Sequence, residues 1–296
     1  NDKAFILEPG TSSGGRSSQQ LRVVSRAEAV TAGFVDGDDI DPETRPEEKR
    51  SAIAANHLGG TLQNVQLIGR EDASEEPVIL MLKEKNQLAN VQLSADVTAT
   101  AIPTGHSNVV EILQNLELDN STLQLSSASE TASVELNFDS NNDQAISGTG
   151  LIHFQRNATG NSPAHYLVFG ETSQYPGGNV LTIGSGITIA GHAELHSMQN
   201  SSTLPNGLRV FGTMEGRPNS RLSISDLDNG GHELTINASQ GEVAIEGSIR
   251  NTIFKPEPNQ TGSLDASSAT SLNGVALGIN TVVNADFYTP ERVIEI

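Results

Sequence analysis

Leu62-Gln63-Asn64-Val65-Gln66-Leu67 comes back as Leu88-Ala89-Asn90-Val91-Gln92-Leu93, and again as Leu113-Gln114-Asn115-Leu116-Glu117-Leu118. The three copies follow one another at an almost constant interval along the chain. A regular repeat with a period of roughly 20–45 residues marks stacked units, each too small to bury its apolar face alone. Apolar and polar residues alternate within a copy, which is strand periodicity. Leu62, Leu67, Leu88, Leu93, Leu113 and Leu118 are therefore expected to stack inside. Asn64, Asn90 and Asn115 hold one place in every copy, suited to a ladder of amide hydrogen bonds or to a tight left-handed turn. A stack of βα units has the same period, but no helix pattern recurs between the copies.

Further along, ISGTGLIHF (146–154) and LTIGSGITIAGHAEL (181–195) repeat the alternation with β-branched residues. Glycines at 148, 150, 184, 186 and 191 cut these runs into short pieces, at places where the chain can turn. Such pieces are too short for ordinary hairpins. They suit a chain that pairs each strand with its equivalent one unit away. The fold class expected is all-β: a right-handed parallel β-helix, or solenoid, with a short N-terminal helix cap and terminal strands. The alternative is a β-sandwich, which also spaces strands every ~8–12 residues.

Composition supports a core without large aromatic anchors, since aromatics are only 4% and Trp is absent. The core must be built from Leu, Ile, Val and Ala. The net charge of −19 argues against nucleic acid, whose binding needs a basic face. With no cysteine, disulfides and thiol chemistry are excluded. No apolar run reaches the length of a membrane-spanning helix, so no membrane insertion is expected. Starting at Asn1, the chain reads as a processed mature chain or an excised fragment.

Three stretches are expected: 1–59, an N-terminal strand, acidic loop and helical cap; 60–254, the repeats; and 255–296, a C-terminal strand segment for docking or assembly. Phe5-Ile6-Leu7 is a strand candidate on a flexible tether, TSSGGRSSQQ (11–20). Asp41-Pro42 resembles a helix start, and Pro46 to His57 is the one good helix candidate, ending at Gly59-Gly60. Val293-Ile294-Glu295-Ile296 forms an apolar carboxyl end, expected to dock in its own subunit or in a neighbour.

The pieces GGTLQNVQL, LANVQL, LQNLEL, ISGTGLIHF and NVLTIGSGITIAGHAEL resemble the right-handed parallel β-helix repeats of large bacterial surface and secreted proteins. That is the pectin-lyase-like and autotransporter-passenger class. The resemblance covers Gly60 to Ile253 and implies architecture far more than activity. Enzymes of that class cleave acidic polysaccharides with clustered aspartates and basic partners. Here no Asn-Thr-Asp strand occurs in the repeats, and Leu113 to Leu204 holds one Arg and no Lys. The resemblance therefore implies a non-enzymatic extracellular or cell-surface protein, a subunit of a fibre or filament or an adhesin. Its partner is expected to be itself, head-to-tail through Phe5, Ile6, Leu7 and Val293, Ile294, Ile296. A surface glycan is a further partner, and a carbohydrate-binding or polysaccharide-degrading protein is the alternative function.

No cofactor is expected, with calcium the one ion considered. Asp36, Asp38, Asp39 and Asp41 invite a calcium reading but lack the spacing and distal Glu of an EF-hand loop. Asp226 and Asp228, in DLDNGG, could wrap a cation; the favoured reading is an ordinary Asx-Gly turn. His192, Glu194 and His196 alternate, so on a strand all face one way, as zinc ligands can. The favoured reading is an exposed polar face.

Overall fold

The chain was analysed as a computed structural model. It describes residues 3–9, 19–25, 52–54, 61–63, 65–68, 78–82, 86–94, 96–101, 108–127, 131–156, 163–170, 178–197, 207–258, 262–277 and 281–284. The first strands are β1 (Lys3–Pro9), β2 (Gln19–Ser25), β3 (Ala52–Ala54), β4 (Thr61–Gln63), β5 (Val65–Ile68), β6 (Val78–Leu82), β7 (Asn86–Ser94) and β8 (Val97–Ala101). The middle of the chain forms β9 (Val109–Ser127), β10 (Glu135–Phe138), β11 (Gln144–Gln155), β12 (His165–Phe169), β13 (Val180–Ile183), β14 (Ile187–Gly191) and β15 (Ala193–Ser197). Then follow β16 (Gly207–Val210), β17 (Thr213–Glu215), β18 (Arg221–Ser225), β19 (Asp228–Asn237) and β20 (Glu242–Pro256). The last are β21 (Gly262–Asp265), β22 (Ala269–Asn273), β23 (Ala276–Leu277) and β24 (Thr281–Asn284).

All these strands belong to one sheet. Pairing is parallel throughout the described residues except between β1 and β2, which are antiparallel. Partners lie far apart in sequence: Leu93 faces Leu118, Phe154 faces Gly191, and Ile224 faces Ile245. Parallel partners cannot be joined by a tight hairpin. Here no helix makes the crossover among the described residues, and the chain returns through more strands and loops.

Strand alternation fills the interior. The burial pattern BiBiB along β15 puts Ala193, Leu195 and Ser197 inward and leaves Glu194 and His196 half-exposed. Parallel register then stacks like on like, as in Leu136, Leu167, Leu195, Ile224 and Ile245, all buried. Fully burying such a side chain contributes about 1.5–3 kcal/mol. The largest buried side chains are Phe138, Phe154, Phe169 and Phe254.

These findings correct the expected fold class. The strands form one closed all-β parallel barrel, not an open right-handed β-helix and not a β-sandwich. The helical cap is also corrected: within Pro46 to His57, Ala52–Ala54 is a strand, and it pairs in parallel with Ile79–Met81. The backbone hydrogen bonds offered by that neighbour override the local helix signals. The sheet stays continuous because its strands do not stop at corners. β9 runs 19 residues, β11 12 and β20 15, against a usual length of roughly 5–6. Register shifts between Leu88/Ala89, Thr149/Gly150, Asp228/His232 and Gly247/Ser248 bend them without ending them.

Left-handed residues sit within β7, β9 and β20: Asn90 (φ 54°), Asn120 (φ 49°) and Asn251 (φ 45°). Asn tolerates this conformation better than other side chains. Gly148 (φ 85°) is more constrained, because a Cβ there would lie 1.9 Å from the Leu118 carbonyl oxygen. Gly231 (φ 84°) shares the conformation but would meet nothing within 4 Å. Gly148→Ala is therefore expected to lose about 1–3 kcal/mol more than Gly231→Ala, the cost of overpacking against backbone. Urea denaturation of the two variants measures the difference; equal losses would remove the Leu118 contact as its cause.

Candidate functional site

The repeat residues fall into register with one slip. Leu62 pairs with Leu88, Leu67 with Leu93, and Leu93 with Leu118. Leu88, however, pairs with Ile112 and Ala89 with Gln114, so Leu113 is the extra residue that β9 absorbs at this point. Ile112 is buried and Leu113 half-buried. Two of the asparagines play different parts. Asn90 adopts the left-handed conformation, whereas the exposed Asn115 accepts the Ala145 N–H through Oδ1 at 2.8 Å. Asn64 lies outside the described residues.

Asp36, Asp38, Asp39 and Asp41 also lie outside them, as do Val293, Ile294 and Ile296. Phe5, Ile6 and Leu7 are on β1, opposite Val23, Arg22 and Leu21 of β2. Asp226 Oδ1 accepts the Ser248 N–H at 3.0 Å. Asp228 Oδ1 accepts from Gly230 N–H and Asn251 Nδ2, each at 3.1 Å. The Asx-Gly turn expected here is instead part of β19 from Asp228 onward, and both carboxylates tie this passage to β20, through Ser248 and Asn251. No group of three or more His, Asp or Glu side chains among the described residues is placed to hold a metal ion.

The buried polar residue of this stretch is Asn229, which the acidic reading of DLDNGG passes over. It is fully buried. Its Oδ1 accepts the Val210 N–H at 2.8 Å and its Nδ2 donates to the Val210 carbonyl at 2.8 Å and the His232 carbonyl at 3.2 Å. The amide thus takes the place of a backbone partner for Val210. An apolar position occupied by Asn between Leu227 and Leu234 was the available signal.

A second buried polar residue organises the middle of the sheet. His165 is fully buried at the start of β12. Its Nδ1 accepts the Val134 N–H at 3.0 Å, and its Nε2 lies 3.0 Å from the Gln155 carbonyl oxygen. With Nδ1 accepting, the proton sits on Nε2 and is donated to Gln155. The ring stacks on Phe154, centroids 6.3 Å apart. Burial depresses its pKa, an effect the Gln155 hydrogen bond opposes and the nearby His192 reinforces.

Around it lie two more histidines with arginines beside them. His153 is depressed by burial and then by Arg217 and His165. His192 is depressed by burial and then by Arg156, and its Nδ1 accepts the Arg221 N–H at 3.2 Å. The Arg156 guanidinium donates to the Asn219 carbonyl. Arg221 is paired with Glu242 at 2.6 Å, with Glu246, and with Asp265 at 3.7 Å. Such half-exposed pairs are worth about 0–1 kcal/mol each, and more as a network.

On the outer side, Tyr166 faces Glu135 on one neighbouring strand and Glu194 on the other. Burial raises its pKa, and Glu194 and Glu135 add to the rise. His196 meets its ring edge-on at 6.1 Å. His192, Glu194 and His196 are thus split among an Arg221 hydrogen bond, the Tyr166 column and the Tyr166 ring edge.

No protein-family model, no curated protein and no solved structure matches the chain.

Removing Asn229 leaves both polar groups of Val210 bare, at about 1–3 kcal/mol per buried group. Asn229→Ala is expected to lower the midpoint of thermal unfolding far more than Asp228→Ala, whose carboxylate is exposed. A comparable loss from the two variants would refute the structural role given to the amide.

Proposed function

We propose that the chain is a non-enzymatic structural subunit of a surface fibre, a filament or an adhesin, working outside the cell or on its surface. It assembles with copies of itself, head-to-tail through its terminal strands. The observation that carries this reading is that β1 joins the closed sheet through one side only among the described residues. Among the described residues β1 pairs only with β2, so one edge of Lys3–Pro9 faces no described strand. Towards the other end, again among the described residues, β22 and β23 pair only with β20, and β24 only with β21. Unpaired edges of this kind recruit another chain unless they are covered. A contact between unlike ends that does not close gives a filament. The carboxyl-terminal Val293, Ile294 and Ile296 are proposed to add to the joint.

A carbohydrate-binding protein is the second reading, favoured by the Glu135–Tyr166–Glu194 column, which offers an aromatic ring between two carboxylates. A glycan array tests it, with binding lost in Tyr166→Ala.

Self-association must overcome a net charge of −19 per copy. Added salt screens that repulsion, with a Debye length of about 10 Å at 0.1 M and about 3 Å at 1 M. Sedimentation and negative-stain microscopy are expected to show assemblies that grow with protein concentration and with salt. Ile6→Pro, which removes a donor from β1, is expected to reduce them. A monomer at every concentration and salt level would overturn the proposal.

A further inference from the structure

We propose that His165 is an acid-sensitive clasp, whose protonation at Nδ1 breaks its bond to Val134 and opens β12 against the passages before β10 and at the end of β11. The imidazole joins three separate passages of the chain. It sits on β12, takes the N–H of Val134 just before β10, and gives its own N–H to Gln155 at the end of β11. A proton arriving at Nδ1 turns the acceptor into a donor, so two N–H groups then face each other across 3.0 Å. The ring is fully buried against Phe154, and water has no access to relieve the conflict.

The surroundings amplify the effect. His192, in the turn before β15, is the charged neighbour that acts on the ring, and His153 of β11 interacts with it. Arg217, beyond β17, lies near His153, while Arg156, just past β11, and Arg221 of β18 lie near His192. Glu135 of β10 and Glu194 of β15 flank Tyr166, the next residue along β12, whose side chain points to the opposite face. They are not placed to neutralise the ring. Glu215 is taken by Arg217, and Glu242, Glu246 and Asp265 by Arg221.

The sign follows from linkage. His165 has a depressed pKa in the folded chain, so the unfolded chain binds the proton more readily. The stabilisation is fully present above the unfolded value and is lost as pH falls below it. For an imidazole held neutral, with an unfolded pKa of about 6.5, the unfolded or open state gains about thirtyfold at pH 5.

Hydrogen exchange of the full chain, corrected for the intrinsic pH dependence, tests this at residues 132–138, 151–156 and 163–169. Protection there is expected to fall, by up to about thirtyfold, between pH 7.5 and pH 5 and to return on neutralisation. His165→Asn keeps a polar side chain without titrating and is expected to lack the step. Unchanged protection in the natural chain would overturn the proposal, as would an equally steep loss in His165→Asn. Nitrogen NMR of the natural chain's imidazoles gives an independent check even if the variant fails to fold. The Nε2-protonated form at pH 7.5, gaining its second proton as protection falls, supports the clasp; a gain without loss of protection overturns it.

Discussion

Backbone hydrogen bonds between strands far apart in sequence are the constraint on which this molecule depends. Each strand finds its partners in the preceding and following passages of the chain, so no short segment is stable alone. Parallel register then does the sorting of side chains. Once Leu93 is set opposite Leu118, Gln92 must lie opposite Glu117, and their side chains hydrogen-bond at 3.2 Å. Ser94 and Asp119 make a similar bond at 3.2 Å, and Gln124 and Gln155 one at 2.7 Å. The interior columns of aliphatics and the outer pairs of polar groups are two consequences of one register.

That register explains what could be read in the sequence. The repeat beginning at Leu62 is a direct image of strand pairing, since residues stacked in space recur at a steady interval along the chain. The alternation in GHAELHS likewise marks the inward positions of Ala193, Leu195 and Ser197. Both signals depend on side chains that face a uniform environment, so periodicity reports them.

The misses share a cause as well. Gly148 and Gly150 within β11 read as strand ends, because glycine is a poor strand former. The left-handed geometry of Gly148, and of Asn120 and Asn251 in β9 and β20, together with the neighbouring bulges, turns the backbone while the pairing goes on. The sheet consequently closes as a whole where short separate strands were expected. Asp41-Pro42 and the alanine-rich run after it satisfy local helix rules, but Ala52–Ala54 gains a parallel partner in Ile79–Met81. Periodicity within one segment contains no information about a neighbour that the chain reaches only at Ile79.

The candidate site was hidden for a different reason. In HYLVF, alternation places His165 in phase with Leu167 and Phe169, on the buried side. A histidine there breaks the apolar pattern, as Asn229 does between Leu227 and Leu234. Each break has a geometric purpose: where strands diverge or a passage is missing, a side chain supplies the hydrogen bonds that a backbone would have given. Asn229 does this with an amide that cannot change its charge near neutral pH. His165 does it with a ring that can. A buried polar group costs stability whenever its partners are lost, so an amide would have served His165's position as a permanent joint. Imidazole ties the same joint to the proton concentration, and the neighbouring His192 adds to the cost of a bound proton.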